Sequence, residues 1–356
     1  MTGPGAGGAG DPAAPLEPFD EVDTVVGPLL VSRGDEVVAE ALRRCGEWEA
    51  TETRYLSALL RPGQRFVDVG AHVGYFTVLA AQRVGPTGSV LAFEPEERNL
   101  DLLRRNVARR GLGNVEVLPV AAARSPGRMS LVLDERNRGA HHLVPLGEAR
   151  TAVDCVRLDD VLPGSVDVVK VDAQGYDHEI VAGMQRSLAE NPRMTVMVEL
   201  SVGELDRRRL DPAEVLEGYE SLGCSISMFD RFGWLRAAST PTVLQRCRAW
   251  GTTDFTLVLR RAAQPGSGAV EHADRPGPAT GLEVGEGPDG LVVRQPALGR
   301  VHRLSPTAAL IFTLCTGAMT VTEIAACVQQ ACELPSPPTA ETEQCLDSLR
   351  RAGLVL

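Results

Sequence analysis

The stretch RFVDVGAHVGYFT, residues 65–77, decides the fold. Its first five residues form an apolar run that is typical of a buried strand. The chain then passes Gly70 and Gly74 into a helical pattern, and glycines allow a tight turn and a close approach of the backbone to a ligand. The spacing is Gly-x-x-x-Gly, whereas a pyrophosphate is usually bound by Gly-x-Gly-x-x-Gly. With Asp68 just before the turn, this spacing favours a ligand that carries no phosphate.

A second carboxylate, that of Glu94, ends the next strand candidate. An acidic residue at this place can accept hydrogen bonds from both hydroxyl groups of a ribose. S-adenosylmethionine combines a ribose with a sulfonium and an amino-acid end, and it has no phosphate. Taken alone, the glycines also fit an ordinary strand–helix loop, so the prediction of a cofactor site depends on Asp68 and Glu94 together.

Strand-like segments continue on both sides of this motif, and helical patterns lie between them. Their continuous apolar runs predict a sheet that is covered on both faces. Strands that alternate with helices predict an α/β domain with a Rossmann-like, doubly wound and mostly parallel seven-stranded sheet. The seven candidates are RFVDV (65–69), SVLAFE (89–94), VEVLPVA (115–121), DVVKVD (167–172), TVMVEL (195–200), SISMF (225–229) and DFTLVL (254–259).

Composition divides the chain into four parts. Residues 1–20 are rich in Gly, Ala and Pro and predict a disordered tail, which is followed by the large domain over 21–262. Residues 263–281 are again rich in Pro, Gly and polar residues and predict a linker. Residues 282–356 read as three short strands and three helices, which predicts a small α+β domain of winged-helix-like type.

Two helix starts in the small domain can be predicted from single residues. Ser305 followed by Pro306 is a favourable N-cap and first helical position. Thr320 and Glu323 have the spacing of a capping box. A third helix is expected over about 339–352.

Charge and composition exclude several classes of protein. The 356 residues carry a formal net charge of −11, the opposite of the balance usual in proteins that bind nucleic acid. No apolar run is long enough for a membrane span, and the first residues lack the pattern of a secretory signal. None of the eight cysteines lies in a Cys-x-x-Cys pair, so we expect neither a disulfide framework nor a zinc site, and we expect a cytoplasmic protein.

Three segments together resemble the motifs of FkbM-type methyltransferases, which are class I S-adenosylmethionine-dependent enzymes. They are VDVGAHVGYFT, FEPEERNLDLLRRNV and VVKVDAQGYDHEIVAGM, and the resemblance extends over about residues 45–260. It implies S-adenosyl-L-methionine as cofactor, with the ribose at Glu94 and the adenine near Val120, Ala121 and Ala122. The residues expected at the cofactor are Asp68, Gly70, Ala71, His72, Gly74, Glu94, Pro95, Ala121 and Asp172.

The sequence departs from this family at two positions. His72 stands where the family often has asparagine, and Gln174 stands where it usually has glutamate. Gln174 is unable to act as a base, although its amide can orient a polar acceptor. This departure leaves open a non-catalytic protein whose methyltransferase fold has decayed.

Methyl transfer is an in-line displacement in which a base can remove a proton from the acceptor. Asp172 ends a core strand beside the crevice where open α/β sheets bind ligands. His178 follows in the next helix, and His142 lies in a loop between strands; both have a suitable unperturbed pKa. We take Asp172, His178 and His142 as catalytic candidates, with a solvent-facing position as the alternative for both histidines. Glu199 at the end of the next strand could face the acceptor or make a structural hydrogen bond. No metal is expected.

Residues 282–356 resemble the PqqD-like peptide-recognition domain of enzymes that modify ribosomally made peptides. The resemblance rests on RVHRLSPTAALIFTLCTGAMTVTEIAACV and CLDSLRRAGLVL. It implies that a leader peptide binds as an added strand beside the third strand and the last helix. The expected contacts are Arg300, His302, Arg303, Leu346 and Arg350. The alternatives are a DNA-binding winged helix, which the acidic composition disfavours, and a dimerisation appendage.

We therefore expect a methyltransferase that tailors a ribosomally synthesised peptide natural product, with the precursor peptide as partner. One alternative is a small-molecule O-methyltransferase of secondary metabolism whose appendage is structural, and another is a non-catalytic peptide-binding scaffold. We expect neither nucleic acid nor a membrane as partner. The acceptor atom (oxygen, nitrogen or carbon), the modified residue and the formation of a homodimer are left open.

Overall fold

The computed structural model describes residues 18–149, 151–229, 233, 235–250, 254–261, 276–279, 282–287, 290–315, 319–332 and 334–356. The chain divides into two compact units, of which the first extends to residue 228 and includes 237–262, and the second contains 229–236 and the residues from 263 onward. Residues 1–17 of the expected N-terminal tail lie outside the described residues. The last two residues of that tail, Phe19 and Asp20, belong to a strand. Most of the expected linker also lies outside the described residues.

The first unit contains the following strands, apart from Phe229, Leu235 and Arg236, which are assigned to the second unit. In chain order they are β1 (Phe19–Val22), β2 (Leu29–Ser32), β3 (Arg65–Val69), β4 (Ser89–Phe93), β5 (Val115–Leu118), β6 (Ala121–Ala123), β7 (Gly127–Val132), β8 (His142–Val144), β9 (Thr151–Arg157), β10 (Val168–Val171), β11 (Thr195–Ser201), β12 (Cys224–Phe229), β13 (Leu235–Ala237) and β14 (Asp254–Arg261).

Its helices lie between these strands. They are α1 (Val38–Cys45), α2 (Ala50–Leu59), α3 (Tyr75–Val84), α4 (Glu97–Arg109), α5 (Leu158–Val161), α6 (Asp177–Ala182), α7 (Gln185–Glu190), α8 (Val202–Arg207), α9 (Pro212–Ser221) and α10 (Thr240–Trp250).

The main sheet has the strand order β13-β12-β14-β11-β10-β3-β4-β5. The five strands from β11 to β5 run parallel to one another, whereas β14 is antiparallel to both β11 and β12. The mostly parallel α/β fold is therefore confirmed, and all seven expected strands are present. The sheet has eight strands instead of seven because the short β13 extends its edge.

The centre of this sheet is buried on both faces because helices cover it. Residues 168–171 of β10 are all buried, and so are four of the five residues of β3. The register pairs Lys170 of β10 with Asp68 of β3. The parallel strands β3, β4 and β10 end at the same edge of the sheet, so the turns that follow them meet there.

A second, four-stranded sheet of order β6-β9-β7-β8 was not expected from the sequence. The segment 115–121 reads as one strand, yet β5 ends at Leu118 and β6 begins at Ala121 in the other sheet. Pro119 lies at the break, and proline has no N–H group with which to continue a ladder. The hairpin of β1 and β2 was not expected either, because such short strands show no clear alternation of apolar and polar residues.

The second unit contains the strands β15 (Glu283–Gly287), β16 (Gly290–Gln295) and β17 (Arg300–Arg303) and the helices α11 (Pro306–Leu314), α12 (Val321–Ala331) and α13 (Thr339–Arg351). The strands form an antiparallel sheet with β17 at one edge. Both predicted caps are confirmed. Ser305 Oγ accepts from the Ala308 N–H, and Glu323 accepts from the Thr320 N–H while donating its own N–H to the Thr320 hydroxyl.

Three further observations bear on chemistry. No helix in the described part of the chain is long and apolar enough to cross a membrane. All eight cysteines carry free thiols. The described residues contain no group of three or more His, Cys, Asp or Glu side chains that could hold a metal ion.

Candidate functional site

The turn after β3 joins three elements at close range. Gly70 has a φ of +81°, and a Cβ atom at this position would overlap the carbonyl oxygen of Asp172. The Gly70 N–H donates to the carbonyl oxygen of Phe93 at the end of β4. Gly74 has a φ of +91°, and a Cβ there would lie 2.5 Å from Leu103 Cδ1 of α4. Both glycines therefore serve the packing of strands and helices around the turn.

Glu94, directly after β4, is buried and held by two backbone groups. Its Oε2 accepts from the His72 N–H at 2.8 Å, and its Oε1 accepts from the Glu96 N–H at 2.9 Å. Burial raises the pKa of Glu94 to about 7, although both N–H groups favour the ionised form. The carboxyl group is thus fixed in direction, and each oxygen retains a lone pair for a ligand.

Asp68 lies one layer behind this turn. Its side chain is 1% exposed, and its Oδ2 accepts from the Thr77 hydroxyl at 2.6 Å. Burial raises the pKa of Asp68, while the Lys170 charge and the Thr77 hydroxyl act against that rise. Asp68 therefore ties β3 to α3.

Four polar side chains at the ends of β10 and β11 form what we call the reacting-end cluster: Lys170, Asp172, Gln174 and Glu199. Lys170 Nζ donates to Asp172 Oδ2 at 2.7 Å. Gln174 Nε2 donates to Asp172 Oδ1 and to Glu199 Oε2, both at 3.0 Å. Because an amide nitrogen carries two N–H groups, Gln174 bridges the two carboxyl groups.

Lys170, the single lysine of the chain, determines the charge of Asp172. Burial alone would raise the pKa of Asp172, but Lys170 and the Gln174 amide hold it below its usual value. Burial likewise opposes the charge of Lys170, yet the surrounding carboxylates raise its pKa above the ordinary value. The Lys170 ammonium also lies 4.6 Å from the centre of the Phe76 ring. Asp172 is therefore ionised at neutral pH.

The backbone that carries Gln174 is held by Asp177. Gln174 and Gly175 both have positive φ, +47° and +85°. The two carboxylate oxygens of Asp177, at the start of α6, accept from the N–H groups of Ala173 and Gly175, both at 2.9 Å. The Gln174 side chain thus reaches its two partners from a constrained left-handed conformation.

A cleft opens at this edge of the sheet. Of the residues expected at a cofactor, Gly70, His72, Glu94, Pro95, Ala121 and Asp172 line it. Asp68, Ala71 and Gly74 do not belong to its lining. The lining residues are Val69, Gly70, His72, Phe93, Glu94, Pro95, Asn99, Val120, Ala121, Ala122, Leu131, Arg138, Gly139, His141, Leu143, Asp172 and Ala173.

The second sheet contributes one wall of this cleft through a 3₁₀ turn at Arg138–Ala140 and the residues after it. His141 Nδ1 accepts from the Asp134 N–H at 3.0 Å, so a neutral ring carries its proton on Nε2. Burial, with the nearby His72 and Arg138, lowers the pKa of His141 to about 4. His141 is therefore a neutral hydrogen-bond donor in the wall of the cleft.

The two histidines that the sequence offers as catalytic candidates are not brought to the cleft. His142 begins β8, where successive side chains point to opposite faces, so His141 and Leu143 line the cleft and His142 does not. His178 lies on α6, with its Nε2 atom 3.6 Å from Glu179 Oε1, and is also absent from the lining. The shared face of His141 and Leu143 could have been predicted from strand alternation, had β8 been recognised.

Asn99 supplies an observation that the sequence could not provide. Its side chain is 2% exposed and lines the cleft, its Nδ2 donates to the Arg138 carbonyl at 3.3 Å, and its Oδ1 accepts no hydrogen bond from the described residues. The free acceptor and the carboxylates of Glu94 and Asp172 suit a ligand that brings donors and positive charge. S-adenosylmethionine has hydroxyl, amine, ammonium and sulfonium groups, and its adenine fits the apolar wall at Ala121, so these residues fit the group.

In the second unit, the residues expected to contact a peptide have different environments. Arg300 and Arg303 are exposed on β17, and Val301 between them is 59% exposed. His302 is half-buried, with its Nε2 atom 2.9 Å from Gln295 Oε1 of β16. These side chains lie on the strand whose outer edge has no neighbour in the sheet.

The residues expected from α13 differ from those on β17. Leu346 is fully buried in the apolar core formed with α11 and α12, so its side chain is not available to a peptide. Arg350 is half-buried, and its Nη1 lies 3.5 Å from Asp347 Oδ1 on the same helix. The three-residue spacing of this pair is usual on a helix surface.

Two family models match this chain. The model of the methyltransferase FkbM domain matches residues 68–223. The chain carries an FkbM methyltransferase domain. Residues 290–355 match the model of coenzyme PQQ synthesis protein D, PqqD. The protein is thus a methyltransferase that uses S-adenosylmethionine and that carries a second domain of a peptide-binding type.

Relatives and solved structures of known methyltransferases are also similar to the FkbM domain. Methyltransferase sdnD from Sordaria araneosa is 28% identical over 183 residues, which cover 41% of this chain and 70% of that protein. The structure of methyltransferase FkbM from Methylobacillus flagellatus is 16% identical, with 58% of this chain and 50% of that chain covered and a TM-score of 0.36. A TehB-like SAM-dependent methyltransferase from Corynebacterium glutamicum is 12% identical, with 63% and 94% covered and a TM-score of 0.39.

Proposed function

We propose that the protein methylates a ribosomally synthesised precursor peptide in the cytoplasm. The PqqD domain binds the leader of this peptide, and the FkbM domain transfers a methyl group to its core. The observation that carries the proposal is the presence of both domains in one chain. Tethering a leader to the enzyme raises the effective concentration of the core peptide at the cleft, which explains the use of a second domain.

The edge of β17 supports the assignment of the leader site. An edge strand presents unpaired backbone donors and acceptors, and an extended peptide can pair with them as a further strand. The exposed side chains of Arg300, Val301 and Arg303 flank this edge. We therefore assign the leader to the outer edge of β17.

The residues of the cleft have different roles in methyl transfer. S-adenosylmethionine supplies a methyl group on a positively charged sulfur. Glu94 accepts hydrogen bonds from hydroxyl groups, and the ionised Asp172 supplies negative charge at the end of β10. His141 donates from the opposite wall. Holding the two reactants in line accounts for much of the rate enhancement of such a displacement.

A comparison of the full precursor with a leaderless core peptide tests this function. Any short peptide encoded beside the gene is incubated as precursor with the full chain and S-adenosylmethionine, and mass spectrometry measures the added methyl group. The full precursor should be methylated far faster than the core alone. Free leader peptide in excess should slow methylation of the precursor and leave cofactor affinity unchanged.

Two outcomes of this experiment would count against the proposed function. Equal methylation of the precursor and the leaderless core, with no inhibition by free leader, would contradict leader capture. A methylated small molecule in the absence of any peptide product would favour the alternative of a small-molecule O-methyltransferase.

A further inference from the structure

The open edge of β17 presents the backbone groups of two residues to an added strand. Leu304, directly after β17, donates its N–H to the carbonyl oxygen of Leu291 on β16 at 2.8 Å. Because the backbone groups of alternate residues in a strand point to the same side, those of Val301 and Arg303 point away from β16. A peptide that pairs with this edge therefore forms its hydrogen bonds with Val301 and Arg303.

The side chains of the same two residues lie on the solvent face of the small sheet. The register places Arg294 of β16 opposite Val301 and Val292 opposite Arg303, and opposite residues share a face. Val293, between those two residues of β16, points the other way and is fully buried in the core with the helices. Val301 is 59% exposed and Arg303 is exposed, so both side chains are accessible to a strand at the edge.

This part of the chain is basic, although the chain as a whole carries a net charge of −11. Residues 290–322 contain three arginines and neither aspartate nor glutamate. Arg294 lies opposite Glu283 of β15 in the register. The side chains of Arg300 and Arg303 form no ion pair with any residue that the structure describes. The edge strand thus carries positive charge that a partner of opposite charge would complement.

We propose that the leader peptide carries an acidic residue and an apolar residue two positions apart, which lie opposite Arg303 and Val301 when the leader adds to β17. This proposal rests on the proposed function, because it takes β17 as the leader site. Residues two apart in a strand point to the same face, so one side chain meets the Arg303 guanidinium while the other covers Val301. A lysine or arginine of the leader at the first place would meet like charge. Nucleic acid has no peptide groups to pair with a strand edge, so the edge favours an acidic peptide.

Fluorescence anisotropy on the full chain tests the proposal. The probe is the labelled N-terminal half of any short peptide encoded beside the gene, and each Asp or Glu in it is changed in turn to Asn or Gln. At one acidic position, two residues from an apolar one, the change should weaken binding about two- to fivefold at low salt, as for an exposed ion pair. The Arg303→Gln variant should bind the unchanged probe more weakly by a similar factor, and the same change in the probe should then have no further effect. Arg303→Glu should prefer a probe with lysine at that position.

Arg128→Gln is the matched control, because it removes one positive charge from an exposed position on β7 in the other unit, where Arg128 faces Asp154. Its affinity for the probe should equal that of the wild type. A probe that binds with no sensitive acidic position, or with the same sensitivity in Arg303→Gln as in the wild type, would overturn the inference and leave the proposed function standing. Tighter binding of double-stranded DNA than of the probe would overturn the inference in favour of a nucleic acid. No binding of the probe to the full chain would overturn the proposed function itself. The changes in the probe decide the inference with the wild type alone, even if an Arg303 variant fails to fold.

Discussion

Replacing Gln174 by glutamate would keep the shape of the bridging side chain and put a third carboxyl group between Asp172 and Glu199. A protonated glutamic acid has a single O–H group, so one of the two hydrogen bonds at 3.0 Å is lost even in the neutral variant. A hydrogen bond to a charged group contributes about 1.5–3 kcal/mol. We expect the free energy of unfolding to fall by about that amount at low pH.

The loss of unfolding free energy in Gln174→Glu should grow as the pH rises. The added carboxyl faces two others in a half-buried place, so its pKa in the folded state exceeds the unfolded value of about 4.3. A group whose pKa is higher in the folded than in the unfolded state contributes its full stabilisation below the unfolded pKa. This stabilisation is lost as the pH rises toward the folded pKa. The difference from the wild type should therefore increase by about 1.4 kcal/mol per pH unit above about pH 5, until the folded pKa is reached.

Urea unfolding of both proteins from about pH 5 to about pH 8 measures this difference. Gln64→Glu is the matched control, because Gln64 Oε1 accepts from the Arg61 N–H at 2.7 Å and a carboxylate can take that role. The difference in free energy of unfolding between Gln64→Glu and the wild type should not increase with pH. A loss for Gln174→Glu that is the same at every pH would refute the bridge between the two carboxylates.

Three further predictions concern the walls of the cleft. Gly70→Ala should lower the free energy of unfolding by about 2–4 kcal/mol in urea titrations, because its Cβ overlaps the Asp172 carbonyl at a positive φ; a neutral effect would contradict this packing. Because the pKa of Glu94 is about 7, wild-type affinity for S-adenosylmethionine should rise with pH up to about 7 and then level off, and Glu94→Gln should flatten that profile in calorimetry. His141→Phe should weaken cofactor or substrate binding, whereas His178→Ala should leave cofactor affinity unchanged; equal effects of the two would contradict the wall assigned to His141.

Much of the fold could be predicted because its signals are local. The apolar runs of β3, β4, β10 and β11 need no tertiary information, since a strand covered on both faces is apolar at most positions. The helix starts at Ser305 and Thr320 depend on residues within one turn, and the structure shows both caps. Glu94 was identifiable because it ends the strand after the glycine turn.

The rest of the site depends on contacts between distant segments. His141 lines the cleft because a 3₁₀ turn and the short β8 fold over it, and neither has a periodic pattern. The role of Gln174 requires Glu199, which reaches it from the neighbouring strand. The burial of Leu346 could have been anticipated, because its spacing with Leu349 places both on the inner face of α13.

Binding of S-adenosylmethionine to the wild type and to Glu94→Ala tests the central claim most directly. Calorimetry on the full chain should show one binding site in the wild type. The variant should bind about ten- to a hundredfold more weakly, because the hydroxyl groups of the ligand lose a charged acceptor in a buried place. Unchanged affinity in Glu94→Ala, or no binding to the wild type, would contradict the assignment of the cleft as the methyl-donor site.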